Sequence, residues 1–182
     1  MTTKPDLAGN TGENATAKGG DADFAPLREA IALSEHARTC GDMPFGAVLV
    51  APGGKVLARA ANTIVTDRDM TAHAEMNALR LASRTCTPQE VAAATMYASG
   101  EPCPMCSGAM IRLGVRRVVF GIRAAIATPY LPTTAGVMAH GVECRAILAL
   151  APAPVEVRGP VLEDEARAPF EAFARNGKGG KG

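Results

Sequence analysis

Four side chains, carried by two short motifs, have the types and spacing to do chemistry together. Thr71-Ala72-His73-Ala74-Glu75 offers an imidazole with a carboxylate two residues on, and Glu101-Pro102-Cys103-Pro104-Met105-Cys106 offers two thiols three residues apart. Singly the motifs are weak, since His-x-Glu arises by chance in helices and Cys-x-x-Cys also serves as a redox pair or half a zinc ribbon. Combined, one imidazole and two thiolates suit Zn²⁺, and three protein ligands leave the fourth tetrahedral position for water. A structural zinc would want a fourth ligand, yet Cys40, Cys86, Cys144, His36 and His140 stand in no second clip. His73, Cys103 and Cys106 are therefore expected to bind one Zn²⁺ per chain in an open site. Glu75 is expected to be the catalytic acid–base, because zinc brings the pKa of water toward ~7 and a carboxylate must then carry the proton.

Two other readings use fewer of these residues. A zinc-binding scaffold without catalysis has no need of Glu75. A thiol oxidoreductase built on Cys103 and Cys106 leaves His73 and Glu75 without a task.

The elements that must position the four follow from periodicity. Phe24 to Thr39 puts Leu27, Ala30, Ile31, Leu33 and Ala37 toward one side of a helix. The apolar run Phe45 to Ala51, the turn Pro52-Gly53-Gly54 and the alternating Lys55 to Asn62 read as a β-hairpin. Thr71 to Ser83 reads as a helix opened by the first motif, with Met76, Leu79 and Ala82 inward. A strand is expected at Thr95 to Ser99, then a helix from Pro104 to Leu113 opened by the second motif, with Met110, Ile111 and Leu113 inward. Arg117 to Ile122 reads as a buried strand, Val142 to Leu150 as a helix, Val155 to Val157 as a short strand and Glu163 to Ala174 as a closing helix. Alternating strands and helices imply a layered α/β domain with a parallel or mixed sheet. Both motifs fall at helix N-termini, where the positive end of the helix dipole favours thiolate. Pro104 suits a first helical position, where no N–H is needed.

Composition bounds the rest. The chain has 182 residues, 47% hydrophobic and 20% charged, with only 4% aromatic and no Trp, so one domain with an aliphatic core is expected. The net charge of +1 lacks the basic excess of a phosphate-tracking surface, so nucleic acid is not expected as a partner. No signal-like or membrane-length apolar run is present, which makes the cytoplasm the expected compartment and the five Cys thiols or ligands rather than disulfides. Residues 1–22 and 176–182 read as disordered or flexible tails around a domain at 23–175. Cys40, Cys86 and Cys144 read as small buried residues, and Arg112, Arg116 and Arg117 as a solvated helix end.

The His-x-Glu and Pro-Cys-x-x-Cys pair is the pattern of zinc deaminases. With Met43-Pro44-Phe45-Gly46-Ala47-Val48, Asn62, Asp69 to Glu75, Glu101 to Cys106, Gly108 to Ile111 and Val118 to Gly121, the sequence resembles the cytidine deaminase-like superfamily. The resemblance covers Phe24 to Ala174 and points to the branch of guanine, cytosine and tRNA adenosine deaminases. It implies a three-layer α/β/α sandwich around a mixed five-stranded sheet, and a homodimer or larger assembly. It implies a hydrolase acting on a C–N bond, with Asn62 holding the base and the backbone N–H of Ala74 meeting a ring substituent. Phe45 is a candidate to stack on the ring. Tyr130 and His140 are candidate substrate contacts, being polar members of the segment Ala124 to His140. That segment lacks the acidic residue by which guanine deaminases help recognise the purine; Glu163, Asp164 and Glu165 would have to supply it by closing over the site. Asp69 reads as a helix cap, and Glu101 as solvated or supporting. The expected activity is ammonia release from a free base or small heterocycle of the guanine/cytosine type, ahead of a nucleoside and then tRNA.

Overall fold

The computed structural model describes residues 21–132 and 142–178. A 3₁₀ turn at Asp21–Asp23 leads into α1 (Phe24–Thr39), followed by the hairpin β1 (Gly46–Val50) and β2 (Val56–Ala61). Then come α2 (Ile64–Asp67), α3 (Ala74–Thr85), α4 (Pro88–Ala93), β3 (Thr95–Gly100), α5 (Pro104–Leu113) and β4 (Arg117–Ile122). The chain continues through α6 (Ala124–Ala127), a 3₁₀ turn at Thr128–Tyr130, α7 (Cys144–Leu148), β5 (Glu156–Arg158) and α8 (Glu163–Lys178).

The five strands form one sheet in the order β2-β1-β3-β4-β5. β1 runs antiparallel to β2 and to β3, while β3, β4 and β5 are parallel. The sheet is mixed as expected, because a tight turn joins β1 to β2 whereas helical crossovers join the parallel strands. Side chains of the central strands alternate between two apolar clusters. Ala47 and Leu49 of β1, Met96 and Ala98 of β3, and Val118 and Phe120 of β4 face α3, α4, α5 and α7. Val48, Val50, Tyr97 and Val119 face α1. Central strands covered on both faces thus read as unbroken apolar runs, and the helices make the outer layers of the sandwich. β1 lies so close to α1 that a Cβ on Gly46 would meet the Ala30 carbonyl oxygen at 2.2 Å, so glycine is required there.

Several expectations need correction. Thr71, Ala72 and His73 precede α3 rather than forming its first turn: His73 is the extended N-cap, and the helix continues to Thr85. Asp21 and Ala22, expected in a tail, belong to a turn, and α8 runs three residues beyond 175 to Lys178. Cys40 is exposed and Cys86 half-buried; only Cys144 of the three is buried. No helix among the described residues is long and apolar enough to cross a membrane.

Arg117 is not a solvated helix end but the centre of a charged knot. The Asp23 carboxylate accepts from Arg117 at 2.8 Å through each oxygen, from the Tyr97 hydroxyl at 2.8 Å, and from Arg158. The knot ties the segment entering α1 to β3, β4 and β5. Hydrogen bonding from Arg117, against the opposing effect of burial and with help from Tyr97 and Arg158, holds the Asp23 carboxyl at about 2, below its ordinary 3.8. A depressed folded-state pKa contributes stability that is complete above the unfolded value and fades as pH falls through the folded one. The shift corresponds to about 2 kcal/mol at neutral pH. Asp23→Asn is expected to lower unfolding free energy by about that amount in urea titrations at pH 7. The gap to the parent protein should close between pH 4 and pH 2.

Candidate active site

His73 and Cys103 are each the extended N-cap of a helix, α3 and α5, with φ/ψ of −67°/151° and −69°/169°. Pro104 occupies the first turn of α5, where its missing N–H costs nothing, and Cys106 follows one turn on. The two N-termini meet. Cys103 Sγ lies 3.6 Å from His73 Nδ1 and 3.6 Å from Cys106 Sγ, and Cys106 Sγ lies 3.7 Å from His73 Nδ1. Ligands at ~2.3 Å (sulfur) and ~2.1 Å (nitrogen) from one tetrahedral Zn²⁺ stand roughly 3.6 to 3.8 Å apart, so the donor set and its spacing fit that ion. Among the described residues this is the one group of three or more His, Cys, Asp or Glu with such convergence.

Glu75, in the first turn of α3, is buried against the same cluster. Burial, then the negative charge of Cys103, pushes its carboxyl up to about 7, with His73 opposing. Hydrogen bonding from Cys106 is the main cause that brings Cys103 down to about 4, while the same contact and burial push Cys106 far up. For His73 burial acts downward, but the Cys103 hydrogen bond and the charges of Glu75 and Cys103 outweigh it and the ring is raised. A divalent cation among these groups would draw both thiols and the carboxyl toward their ionised forms.

A cavity of about 520 Å³ opens over His73, Cys103 and Glu75. Its apolar walls are Met43, Phe45, Ile64, Met70, Pro104, Met105, Ala124, Ala127 and Leu131, and its polar points are Asn62, Thr71, Glu101 and Thr128. Asn62 is buried; its Oδ1 accepts from the N–H of Ile64 at 3.1 Å, which leaves the amide N–H groups as what it can offer a ligand. Ala74 is the first residue of α3, where helix geometry gives its N–H no intrahelical acceptor. Phe45 lines the cavity and also packs edge-on against Phe170, centroids 5.1 Å apart at 84°, so it is at once wall and core.

The remaining candidates are placed elsewhere. Tyr130 is outside the cavity lining and packs on the apolar cluster of Ile122, Leu131, Ala166 and Phe170. His140 lies outside the described residues. Glu163 and Glu165, considered as closing over the site, instead pair with Arg123 and Arg28, fastening α8 to the end of β4 and to α1. Asp69 does not cap α3; its Oδ1 accepts from the backbone N–H and hydroxyl of Thr71 one turn earlier. Glu101 is neither solvated nor idle. Its two oxygens accept from the N–H groups of Ala124 at 3.1 Å and Cys144 at 3.0 Å, clamping the starts of α6 and α7 beside the cavity. A lone acid before Pro-Cys gave no hint of those partners, which are distant in sequence. Ile64, Met70, Ala127, Thr128 and Leu131 were likewise missed, since they lie in helices of three or four residues or in the turns beside them, too short to carry a usable period.

Residues 22–122 match the family described as the cytidine and deoxycytidylate deaminase zinc-binding region. The chain belongs to that family. Its reaction class is hydrolytic cleavage of a C–N bond, and this deaminase carries the family's His/Cys/Cys group. It is 38% identical over 156 residues to a probable cytosine deaminase of Schizosaccharomyces pombe, covering 86% of this chain and 94% of that one. It is 41% identical to the tRNA-specific adenosine deaminase of Bacillus subtilis over 52% of this chain and 58% of that protein. The fold resembles the crystal structure of NE0047 in complex with 2,6-diaminopurine, with TM-score 0.67, 25% identity, and 84% and 82% of the two chains covered.

The Phe45 wall of the deaminase depends on Gly100 at the end of β3, where an added Cβ would meet Phe45 Cε1 at 2.8 Å. The ring cannot simply swing aside, since Phe170 holds its edge. Gly100→Ala is expected to lower stability by roughly 1 to 3 kcal/mol, the usual cost of overpacking, read as a drop in thermal midpoint.

Proposed function

We propose that this deaminase hydrolyses the exocyclic amine of a free, uncharged nucleobase or related small heterocycle of the guanine/cytosine type, releasing ammonia, with one zinc held by His73, Cys103 and Cys106. The observation that carries the reading is a buried carboxyl, Glu75, set against a zinc-compatible triad in a cavity whose described lining holds no Lys or Arg. A phosphorylated substrate would bring charge with nothing there to neutralise it.

Bound zinc would supply a water acidified into the neutral range. The protein's own groups do the rest. Glu75 takes a proton from that water and delivers it to the ring nitrogen beside the carbon under attack, then carries the second proton to the amine, which leaves as NH₃ while the ring keeps the oxygen. A carboxyl buried beside the triad, and so placed to exchange protons with both the water and the amine, suits both halves of that task. The amide N–H groups of Asn62 donate to an acceptor on the ring edge, the Ala74 N–H meets a ring substituent, and Phe45 with Ile64 and Leu131 excludes water from the ring faces.

A free base is favoured over tRNA by the extent of likeness, which spans nearly all of the cytosine deaminase relative but only 58% of the tRNA-specific one. Ammonia release should be seen with guanine, cytosine or isocytosine before their nucleosides. Turnover of an adenosine-bearing anticodon stem-loop with none of the small molecules active would overturn the substrate reading. Metal analysis should find about one zinc per chain, lost in His73→Ala or Cys103→Ala. Glu75→Gln should keep the zinc and the thermal midpoint yet lose on the order of 10²- to 10⁴-fold in kcat, the usual worth of a positioned proton carrier. Full activity in that variant would remove Glu75 from the mechanism.

A further inference from the structure

We infer that Asn77, outside the cavity and one turn into α3, is a positioning residue that holds the substrate-facing loop 62–73 in register with the metal ligands. The loop supplies Asn62, Ile64, Met70 and Thr71 to the cavity wall and ends at His73. Little apolar contact secures it: Ile64 and the small Ala72 are buried, but Val65 and Met70 are 59% and 54% exposed, and Arg68 takes the left-handed conformation at φ 53°. Polar fastenings must do the work.

The Asn77 carboxamide makes three of them. Its two Nδ2 hydrogens serve three acceptors, the carbonyl of Ala61 at 3.0 Å, Thr63 Oγ1 at 2.9 Å and, as the longer branch of a shared bond, the carbonyl of Ala72 at 3.3 Å. One amide therefore grips the chain on both sides of Asn62 and again just before His73. Its Oδ1 accepts from Arg80 Nη1 at 3.1 Å, and Arg80 Nη2 donates to Thr71 Oγ1 at 2.7 Å, extending the grip to a residue that lines the cavity. The orientation of the amide is fixed by these partners, with donors toward oxygens and the acceptor toward a guanidinium. Thr63 spends its own hydroxyl proton on Asp67 at 2.6 Å, so it can only accept from Asn77.

Asn77→Asp keeps the shape and reverses the polarity. Three oxygens would then face a carboxylate, two of them carbonyls that have no proton to give. The inference rests on Asn62 and His73 being the base and metal contacts, so the experiment reads the loop independently of turnover. Amide hydrogen exchange should quicken across residues 62–73 in the zinc-loaded variant, with protection in β1, β3 and α1 unchanged. Ammonia release should lose roughly 10- to 100-fold in kcat/KM, mostly through KM, as expected when a binding group is displaced by about an ångström. Unchanged loop exchange with an unchanged KM would overturn the inference, as would a lower thermal midpoint with both of those at parent values. If the parent protein deaminates no base, the functional reading fails while the exchange comparison still decides the role of Asn77. Should Asn77→Asp not fold, Asn77→Ala removes the donors without adding charge and is judged by the same two readouts.

Discussion

The constraint on which this molecule depends is the meeting of two helix N-termini at one point. His73 and Cys103 are 30 residues apart, yet Nδ1 and the two sulfurs lie 3.6 to 3.7 Å from one another. Two neighbouring strand-to-helix connections achieve this, one leaving the β1–β2 hairpin for α3 and the other leaving β3 for α5. Since β1 and β3 are paired directly, the ends of both connections are anchored to the same part of the sheet. Extended N-cap geometry then aims His73 and Cys103 away from their helices, and Cys106 follows from the helical pitch. The ligand geometry is thus a property of the sheet register rather than of the short motifs.

Around that point the walls of the cavity are irregular, and buried or half-buried polar side chains hold them. Asp42, at the end of the turn after α1, accepts from the N–H groups of Val65 and Thr66 and from the Thr66 hydroxyl, so it serves as an outside cap for α2. Glu101 does the same for α6 and α7 on the opposite side. Asn77 closes the loop between Asn62 and His73. Each of these groups satisfies backbone donors or acceptors that short segments cannot pair for themselves. A cavity wall built this way is precise without being thick, and the hydrophobic core is left to the sheet.

How much of this was legible in the sequence divides along the same line. The long helices and the central strands were readable because they bury one face, or two, and the period of the apolar residues records it: α1, α5 and β4 begin and end where the pattern says. The convergence of His73, Cys103 and Cys106, with Glu75 beside them, was readable because zinc chemistry demands particular residue types at fixed spacing. α2, α4 and α6 span four to six residues each, too few for a helical period to register, and tertiary contacts determine them. Asp23, Asp42, Asn77 and Glu101 were opaque for another reason. An isolated Asp, Asn or Glu on a solvated surface and one clamping distant backbone have the same local sequence, and only the fold tells them apart. Tyr130 shows the converse: a polar residue in a promising segment packs, half-buried, on the apolar cluster of Ile122, Leu131, Ala166 and Phe170.

The distribution of charge around the cavity bears on what it can admit. This chain has 19 Lys and Arg, so their absence from the described lining is not a matter of scarcity. Several are spent elsewhere: Arg117 and Arg158 on Asp23, Arg123 on Glu163, Arg28 on Glu165. What remains at the cavity is the amide of Asn62, the hydroxyls of Thr71 and Thr128, the carboxyls of Glu75 and Glu101, the His73 and Cys103 side chains and apolar surface. On the proposed reading, a flat heterocycle with an acceptor on one edge and an amine on the other would meet those groups, whereas a phosphate set against them would find no Lys or Arg in the described lining to pair with.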